Sequence, residues 1–418
     1  MFFHHVRPLL LCAPLLLATA FPSLASTMPE TFVPKDPEQT LLKVNPRDDA
    51  AWQSLREDRQ TLLEQPDDLS LALDLARRAI EQGRRQDDPR FFGYAEGALS
   101  HWWDMNEPPL QVRVLRATIF QYRHRFDAAM RDLDTVIERD PNHAQARLTR
   151  AIIHTVQARY QAALEDCARL SRLGLRITAL TCSATPASLT GSAGRAFELL
   201  SQIPQQGVDD NTLVWALTVR AEIAERLGRA DTEDQYRQAL KVASERPDRY
   251  LANAFADWLL DQGRPDEVLT LLADFADSDG SLLRLALAQK QRLDQGLEAA
   301  SAPLEEHKSE LRARFAAERE RGGAVHHREA AMFQLHLENA PGEALWMARD
   351  NFRNQREPLD ARILLESALA AEAPGQALPA VRWMRGHGVT DVRLEPLVAR
   401  IEASAVTDPA MATDGDRP

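Results

Sequence analysis

Three histidines, His326, His327 and His336, form a cluster of potential metal-binding side chains, with Glu329 and Glu338 close by. Imidazole and carboxylate groups on a helix can share a zinc ion when they lie one turn apart, at i, i+3 or i+4. His326 and Glu329 have this spacing, whereas His327 and His336 do not, and the sequence lacks a His-Glu-x-x-His motif. Capping or solvated roles explain these residues better, so the sequence predicts neither a metal nor another cofactor.

No segment has the context of a catalytic nucleophile or of a phosphate-binding loop. Gly191-Ser192-Ala193-Gly194 is rich in glycine, but it lacks the lysine of a phosphate loop and does not follow a strand. A Gly-x-Ser-x-Gly motif is absent, and carboxylate pairs such as Asp209-Asp210 are ordinary surface in a chain with 62 acidic residues. The sequence therefore predicts no catalytic residues.

Cys167 and Cys182 are the residues with the clearest potential for covalent chemistry. Gly174 lies about midway between them and marks a turn, so two antiparallel helices would bring the cysteines opposite one another. In an oxidising compartment such a pair forms a disulfide, and a loop of about 15 residues gives roughly 3 kcal/mol of stabilisation in the chain-entropy model. The alternative is a reduced pair packed in the core. The spacing is not the Cys-x-x-Cys of a redox-active pair.

The composition favours helices as the elements that position these residues. The chain has 418 residues, of which 44% are hydrophobic and only 6% are aromatic. Alanine, leucine, glutamate, glutamine and arginine, which are good helix formers, greatly outnumber valine and isoleucine. We therefore expect an all-α fold of one large domain or two ordinary ones.

The net charge of −12 restricts the class of partner. Almost all of the basic residues are arginines, and no segment of the sequence concentrates them. Because phosphate contacts dominate nucleic-acid binding, an acidic chain without a basic block is poorly suited to DNA or RNA. We therefore expect no nucleic-acid partner.

Small residues recur along the chain at intervals of about 34 residues. The first series consists of Ala76, Ala117, Ala151, Ala184, Ala221 and Ala256. A glycine follows four of them seven positions later, at Gly83, Gly191, Gly228 and Gly263. A second alanine follows three of them twelve positions later, at Ala129, Ala163 and Ala196. The pattern predicts stacked pairs of helices, in which glycine ends the first helix and the alanines lie where the helices cross.

This pattern resembles the tetratricopeptide repeat (TPR) family. The clearest copy is 110–143, which has that family's small, aromatic and proline positions at Ala117, Phe120, Phe126, Ala129, Leu133, Val136 and Pro141. The next copy, 144–177, has Ala151, Tyr160, Ala163 and Leu170, whereas Glu233 and Val268 stand where later copies should have alanine. The resemblance implies a right-handed α-solenoid of about seven to nine antiparallel helix pairs. The alternative is another class of helical repeat.

The N-terminus has the features of a secretory signal peptide over residues 1–25. Arg7 gives a short positive region, the apolar run Leu9–Ala20 is too short to span a bilayer, and Ser23-Leu24-Ala25 places small residues before a cleavage site. The alternative is an uncleaved anchor. We expect cleavage near Ala25 and a periplasmic or secreted mature protein.

The rest of the chain divides into five predicted segments. They are an extended or disordered lead-in (26–48), an N-terminal TPR-like solenoid (49–282), an irregular charged helical connector (283–324), C-terminal TPR-like repeats (325–403) and a disordered tail (404–418).

In the TPR family the first helix of each pair lines a concave face, which often binds peptides. The resemblance places thirteen residues of this chain on that face: Val114, Thr118, Gln121, Tyr122, Leu148, Ile152, Thr155, Trp215, Thr218, Glu222, Tyr250, Asn253 and Asp257. The alternative for each of them is packing against the neighbouring pair. The face changes from apolar to acidic along the chain and lacks the lysine- and asparagine-rich clamp for a terminal carboxylate, so a basic or mixed, extended segment fits it best.

The sequence thus predicts an exported, non-catalytic TPR scaffold or adaptor for a protein or peptide partner in the cell envelope. The periplasm of a Gram-negative bacterium is the expected location. Two alternatives stay open: an accessory factor that binds a metal or small molecule through the region of His326 and His336, and a hydrolase within a helical-repeat shell.

Overall fold

The computed structural model describes residues 50–243, 248–320 and 327–407, which belong to one compact unit spanning residues 45–418. Within these ranges the regular elements are all helical, which confirms the all-α prediction. No helix of the described ranges is both long and apolar enough to cross a membrane. The predicted signal peptide, the lead-in and residues 408–418 of the tail lie outside the described residues.

The helices follow one another as pairs joined by short turns, after an initial helix α1 (Ala50–Glu64). The first five pairs are α2 (Leu69–Gln86) with α3 (Pro89–Ala98) and the short α4 (Ser100–Trp103), α5 (Leu110–Tyr122) with α6 (Phe126–Arg139), α7 (Ala144–Val156) with α8 (Tyr160–Arg172), α9 (Arg176–Ala187) with α10 (Ala193–Ser201), and α11 (Asp210–Arg226) with α12 (Thr232–Val242).

Four more pairs and a last helix complete the described chain. They are α13 (Arg249–Asp261) with α14 (Pro265–Leu271), α15 (Asp279–Asp294) with α16 (Ser301–Glu320), α17 (His327–His336) with α18 (Pro341–Asn354), α19 (Pro358–Ala370) with α20 (Leu378–His387), and finally α21 (Glu395–Thr407). Short 3₁₀ or π segments lie at Ser188–Ser192, Glu298–Ala300 and Pro374–Ala377.

The small residues of the repeat are buried within the helix pairs. Each alanine of the first series is buried, as are Ala129, Ala163 and Ala196. A methyl side chain allows two helices to approach closely, so the interval of about 34 residues reflects one helix pair. This part of the repeat prediction is confirmed.

The glycines of the repeat have two different roles. Gly228 and Gly263 have φ values of +64° and +70°, in the left-handed region where a residue without a Cβ is favoured, and both follow a first helix. Gly83 does not end its helix, because α2 continues to Gln86. A Cβ at Gly83 would lie 2.6 Å from Cε2 of Phe92, so this glycine permits the close approach of α3. The prediction of a helix end at Gly83 is therefore wrong.

The predicted boundary at residue 283 falls inside a helix. Leu282, Leu283 and Leu285 are buried in α15, which packs against α16 as the two helices of any other pair do. The predicted connector 283–324 therefore contains most of a regular pair, and Gly322 and Gly323 lie outside the described residues. At the other end, α21 extends to Thr407, four residues into the predicted tail.

The first helices of successive pairs form a continuous layer. In that layer α2, α5, α7, α9, α11, α13, α15, α17 and α19 each contact the next, whereas second helices of neighbouring pairs pack on each other less within the described ranges. We call this layer of first helices the inner layer.

Contacts between distant pairs join one part of the stack to another. The hydroxyl of Ser278, at the start of α15, donates to Oδ2 of Asp87 at 2.8 Å, although Asp87 ends the first helix of the first pair. The indole Nε1 of Trp383 donates to the hydroxyl oxygen of Tyr160 at 2.8 Å in a buried contact. Tyr160 also belongs to a hydrophobic core that is otherwise built mainly from residues 282–401. The repeat pattern predicts none of these contacts.

Candidate functional site on the inner layer

Four of the thirteen predicted groove residues belong to the core. Val114, Thr118, Thr155 and Thr218 are buried. Each threonine hydroxyl donates to the backbone carbonyl of the residue four positions earlier, at 3.0, 2.9 and 2.8 Å respectively. These side chains have no surface to offer a partner, and they pack against neighbouring helices instead.

Three further predicted groove residues pack between neighbouring pairs. The ring of Tyr122 stacks on Phe92 with a centroid distance of 3.6 Å, and burial raises the pKa of its hydroxyl well above the usual value. Leu148 packs against the core cluster that contains the two cysteines. Trp215 contacts both that cluster and the neighbouring core of α10 and α11. Two more groove residues, Gln121 and Ile152, are half-buried.

Tyr250 and Glu222 form a hydrogen-bonded unit on the inner layer. The hydroxyl of Tyr250, on α13, donates to Oε1 of Glu222, on α11, at 2.6 Å. Tyr250 lies in the first turn of α13, which Asp248 caps by accepting from the backbone N–H of Leu251 at 3.1 Å. Although Tyr250 is hydrogen-bonded, 61% of it is exposed. The unit therefore presents an aromatic ring in a set orientation.

The electrostatics keep this hydrogen bond in place. The charge of Glu222 raises the pKa of Tyr250 well above 10, so the phenol stays a proton donor at neutral pH. Burial raises the pKa of Glu222 above its usual value, and the hydrogen bond from Tyr250 opposes that shift. Glu357, at the start of α19, raises both pKa values further, which indicates that it faces the unit.

Arg328, on α17, binds two acidic residues at the start of α19, which is the last of the first helices. Its guanidinium donates to Oδ1 and Oδ2 of the buried Asp360 at 2.6 and 2.9 Å, and it also forms an ion pair with Glu357. We call Glu222, Tyr250, Arg328 and Glu357 the inner polar site. Arg328 and Glu357 were not among the predicted groove residues, the last of which was Asp257, although both lie in the predicted C-terminal repeats 325–403. The unbroken apolar pattern of α15 was the signal that would have extended the groove.

The remaining two predicted groove residues are bonded within the inner layer. Ser281 donates its hydroxyl to Oδ1 of Asn253 at 2.8 Å. Asp257 accepts from Nε and Nη2 of Arg284 at 2.9 and 2.7 Å, and the arginine is buried. Asp257 is thus neutralised by Arg284, as Glu357 is by Arg328, and the acidic character of the site comes from Glu222.

The histidine cluster is not assembled into a metal site in the part that the structure describes. His327 Nδ1 lies 2.9 Å from Oδ2 of Asp350, and His336 Nε2 lies 3.4 Å from Oε2 of Glu366. Across the described ranges, no three or more His, Cys, Asp or Glu residues are arranged to hold a metal ion. His326 lies outside the described residues.

The two cysteines meet across the turn between α8 and α9. Both are buried, their Cα atoms are 5.6 Å apart, and the structure has their sulfurs bonded as a disulfide. This geometry matches the antiparallel arrangement expected from the sequence. The oxidation state in solution stays a prediction.

Helix pairs of about 34 residues, buried alanines at the crossings and an inner layer of first helices are together typical of tetratricopeptide repeats. The chain has a TPR-like fold. This conclusion rests on the geometry of the chain itself. No protein-family model matches the sequence. No curated protein matches it either.

Solved TPR structures resemble the TPR-like chain at low sequence identity. A TPR protein from Parabacteroides merdae is 15% identical, covers 62% of this chain and 92% of its own, and has a TM-score of 0.35. A monomeric mutant of IFIT1 with Gppp-AAAA is 13% identical over 86% of this chain and 87% of its own, with a TM-score of 0.38. Yeast Tom70 is 14% identical over 88% of this chain and 62% of its own, with a TM-score of 0.27. Such values carry no information about what the TPR-like chain binds.

Proposed function

We propose that this TPR-like chain is an exported, non-catalytic scaffold that binds an extended segment of a protein partner in the cell envelope. The partner segment lies on the inner layer, against Tyr250 and Glu222. Export is supported by the signal-peptide features of residues 1–25, with cleavage near Ala25 and the periplasm as the expected location.

The observation that carries this proposal is the exposed but anchored ring of Tyr250. Tyrosine is among the residues that most often dominate binding energy at protein interfaces. A ring that is already held by a hydrogen bond loses little freedom when a partner covers it, so less of the interaction energy is spent on ordering. Most other groove residues are buried or bonded within the layer, which makes Tyr250 the centre of the proposed interface.

The charge around Tyr250 favours a basic or mixed partner segment. Glu222 Oε2 accepts no hydrogen bond from any residue in the described ranges, whereas Glu357 is already paired with Arg328. A lysine or arginine of the partner can lie over the ring of Tyr250 and at the same time pair with Glu222. The charge of Glu222 repels phosphate, so nucleic acid is not among the proposed partners.

The test is a crosslinking pull-down of the tagged mature protein from its native envelope, read by mass spectrometry. The variant is Tyr250→Ala, and its matched control is Trp346→Ala. Trp346 is 62% exposed, but it lies on α18, a second helix, outside the inner layer. We expect a partner that is recovered with wild type and with the control, and lost with Tyr250→Ala.

A further variant separates the ring from the charge. Glu222→Gln keeps an oxygen acceptor for the Tyr250 hydroxyl but removes the negative charge, so we expect weaker and less salt-dependent recovery. Equal recovery with all variants would place the interface elsewhere, and no reproducible partner at all would contradict the scaffold function. Charge reversal at Asp257 is unsuitable, because it would break the buried ion pair with Arg284.

A further inference from the structure

A cavity of about 570 Å³ opens on the α7–α8 pair and shares no residue with the inner polar site. Helix α7 contributes Arg147, Arg150 and His154, and helix α8 contributes Arg169 and Arg172 among its lining residues. The spacing of i, i+3 and i+7 places the first three on one face of α7, and the spacing of i and i+3 does the same for the two on α8. The cavity is thus a cleft between two arginine-bearing helix faces.

The lining is cationic although the chain as a whole has a net charge of −12. Four arginines stand against two acids, Glu165 and Asp166. The buried Asp166 accepts hydrogen bonds from both Arg147 and Arg150, at 2.7 to 2.8 Å. We call these three residues the buried triad. No segment of the sequence concentrates arginines, but here two helices bring together residues that the sequence spreads over 26 positions.

Two arginines at the edge of the cavity have no intramolecular role in the described structure. Arg169 and Arg172 are exposed, and the side chain of neither makes a hydrogen bond or ion pair with a residue of the described ranges. We call them the rim. Their position in the last turn of α8 suits the negative end of the helix dipole, an effect of a few tenths to 1 kcal/mol. That effect explains why two positive charges lie near the end of α8. It does not explain why they lie on the face of α8 that borders the cavity.

The preceding pair separates the structural part of this feature from the rest. Arg113, Arg116 and Asp132, 34 residues earlier, repeat the buried triad with the same kinds of hydrogen bonds. At the positions of the rim the preceding pair has Thr135 and Glu138 instead. The triad is therefore a packing device shared by two pairs, whereas the cationic rim occurs in only one of them.

His154 is a second departure from the preceding pair, which has Phe120 at this position. Nδ1 of His154 is buried and makes no hydrogen bond with a described residue. Burial lowers the pKa of His154, and the charge of Arg159 lowers it further, so the imidazole is neutral at pH 7. The cavity therefore contains a polar nitrogen without a partner at a place where the fold accepts an aromatic hydrocarbon.

We propose that this cavity is a second binding site, and that it takes an extended acidic segment of a protein partner. Guanidinium groups pair with carboxylates through charge-assisted, often bidentate, hydrogen bonds. The two rim arginines lie about one helical turn, roughly 5 Å, apart. Carboxylates on alternate residues of an extended segment are separated by a similar distance, about 6.6 Å. The site is independent of the inner polar site and adds a partner of opposite charge.

The experiment measures binding of a fluorescein-labelled synthetic peptide of alternating glutamate and serine to the full-length mature protein by anisotropy. The variant is Arg169→Gln with Arg172→Gln, which removes charge without touching the buried triad. The matched control is Arg195→Gln with Arg400→Gln, which removes the same charge from two exposed arginines that have no side-chain partner among the described residues. We expect the rim variant to weaken binding roughly tenfold, at about 0.5 to 1 kcal/mol per charge pair, and the control to bind as wild type.

Three comparisons decide the proposal. The same peptide with glutamine in place of glutamate should not bind, and rising salt concentration should weaken the binding of the acidic peptide. Tyr250→Ala should leave this binding unchanged, so that failure here is distinct from failure of the proposed function. Equal affinity of the rim variant and wild type, or no binding of the acidic peptide, would overturn the proposal. Displacement of the peptide by inorganic phosphate at low concentration would assign the site to phosphate instead.

Discussion

Two aspartates on α6 differ in burial but not in chemistry, which makes their exchange for asparagine a sharp test of the packing. Asp132 is 5% exposed and accepts from Arg113 Nη1 at 2.9 Å and from Arg116 Nε at 2.7 Å. Asp134, two residues later, is 48% exposed and pairs with Arg150 at 2.8 Å. Both substitutions remove one negative charge from the same helix, so any difference between them comes from the surroundings.

The expected magnitudes differ severalfold. In Asp132→Asn the two guanidiniums stay buried without a counter-charge, and removing one partner of a buried ion pair costs about 3 to 5 kcal/mol. In Asp134→Asn the arginine keeps its bonds to Asp166, and an exposed pair is worth about 0 to 1 kcal/mol. Since the free energy of unfolding of a domain is about 5 to 15 kcal/mol, Asp132→Asn should lose a large part of its stability and Asp134→Asn very little.

The assay is urea denaturation followed by circular dichroism, together with hydrogen exchange of the α5 and α6 amides by mass spectrometry. Exchange is included because neighbouring pairs of a repeat array can unfold separately, so a single transition can hide a local loss. We expect faster exchange in α5 and α6 for Asp132→Asn and wild-type exchange for Asp134→Asn. Similar losses in both variants, or a loss below about 1 kcal/mol for Asp132→Asn, would refute the argument from burial.

Three further predictions use other parts of the fold. Burial raises the pKa of Glu225 to about 7 from its ordinary 4.5. Protonation of Glu225 therefore stabilises the folded state fully below pH 4.5, and this stabilisation is lost as pH rises through 7. Glu225→Gln should flatten that decline in urea titrations on either side of this window. Gly83→Ala should destabilise by about 1 kcal/mol, because overpacking against Phe92 exceeds the gain in helix propensity, whereas Gly93→Ala, with no atom within 4 Å of the added Cβ, should stabilise. Alkylation of the unreduced, unfolded mature protein should find no thiol; one thiol would indicate that Cys12 is retained, and two would contradict the disulfide.

The helix pairs could be predicted from the sequence because their determinants are local. A buried alanine such as Ala117 or Ala151 interacts with a helix that lies within about 20 residues of it, and the interval between pairs is constant enough to be seen. Gly228 and Gly263 were predictable for the same reason, since a left-handed turn depends on one residue. Gly83 was misassigned because glycine serves turns and close approaches alike, and only the position of Phe92 distinguishes them.

The groove was predicted less well, because the resemblance identifies the helix but not the direction of each side chain. Thr118 and Thr155 were placed at the surface, yet both are buried, and their hydroxyls donate to carbonyls of their own helices. In a stack every first helix has a neighbour on both sides, so only a narrow stripe of it meets solvent. Tyr250 lies on that stripe, in the first turn of its helix, and 61% of it is exposed.

The contacts between distant pairs were not predictable, since no interval relates the residues that make them. Arg393 pairs with Glu225 at 2.6 Å, and the backbone N–H of Val392 donates to the carbonyl of Arg226 at 3.0 Å. Gly228 shows both kinds of determinant in one residue. Its positive φ is a local requirement of the turn, but an added Cβ would also lie 3.1 Å from Cγ1 of Val392, which is a requirement set by the far end of the chain.

In a repeat protein, the positions that recur build the fold, so the positions that depart from the recurrence are the ones whose residues need another reason. The α5–α6 and α7–α8 pairs share the buried triad, and this part is explained by packing alone. They differ at the rim, where Thr135 and Glu138 become Arg169 and Arg172. Packing cannot account for that difference, because the rim side chains are exposed and bond to nothing in the described structure. A ligand that meets them from outside the chain is therefore the explanation that the comparison of the two pairs favours.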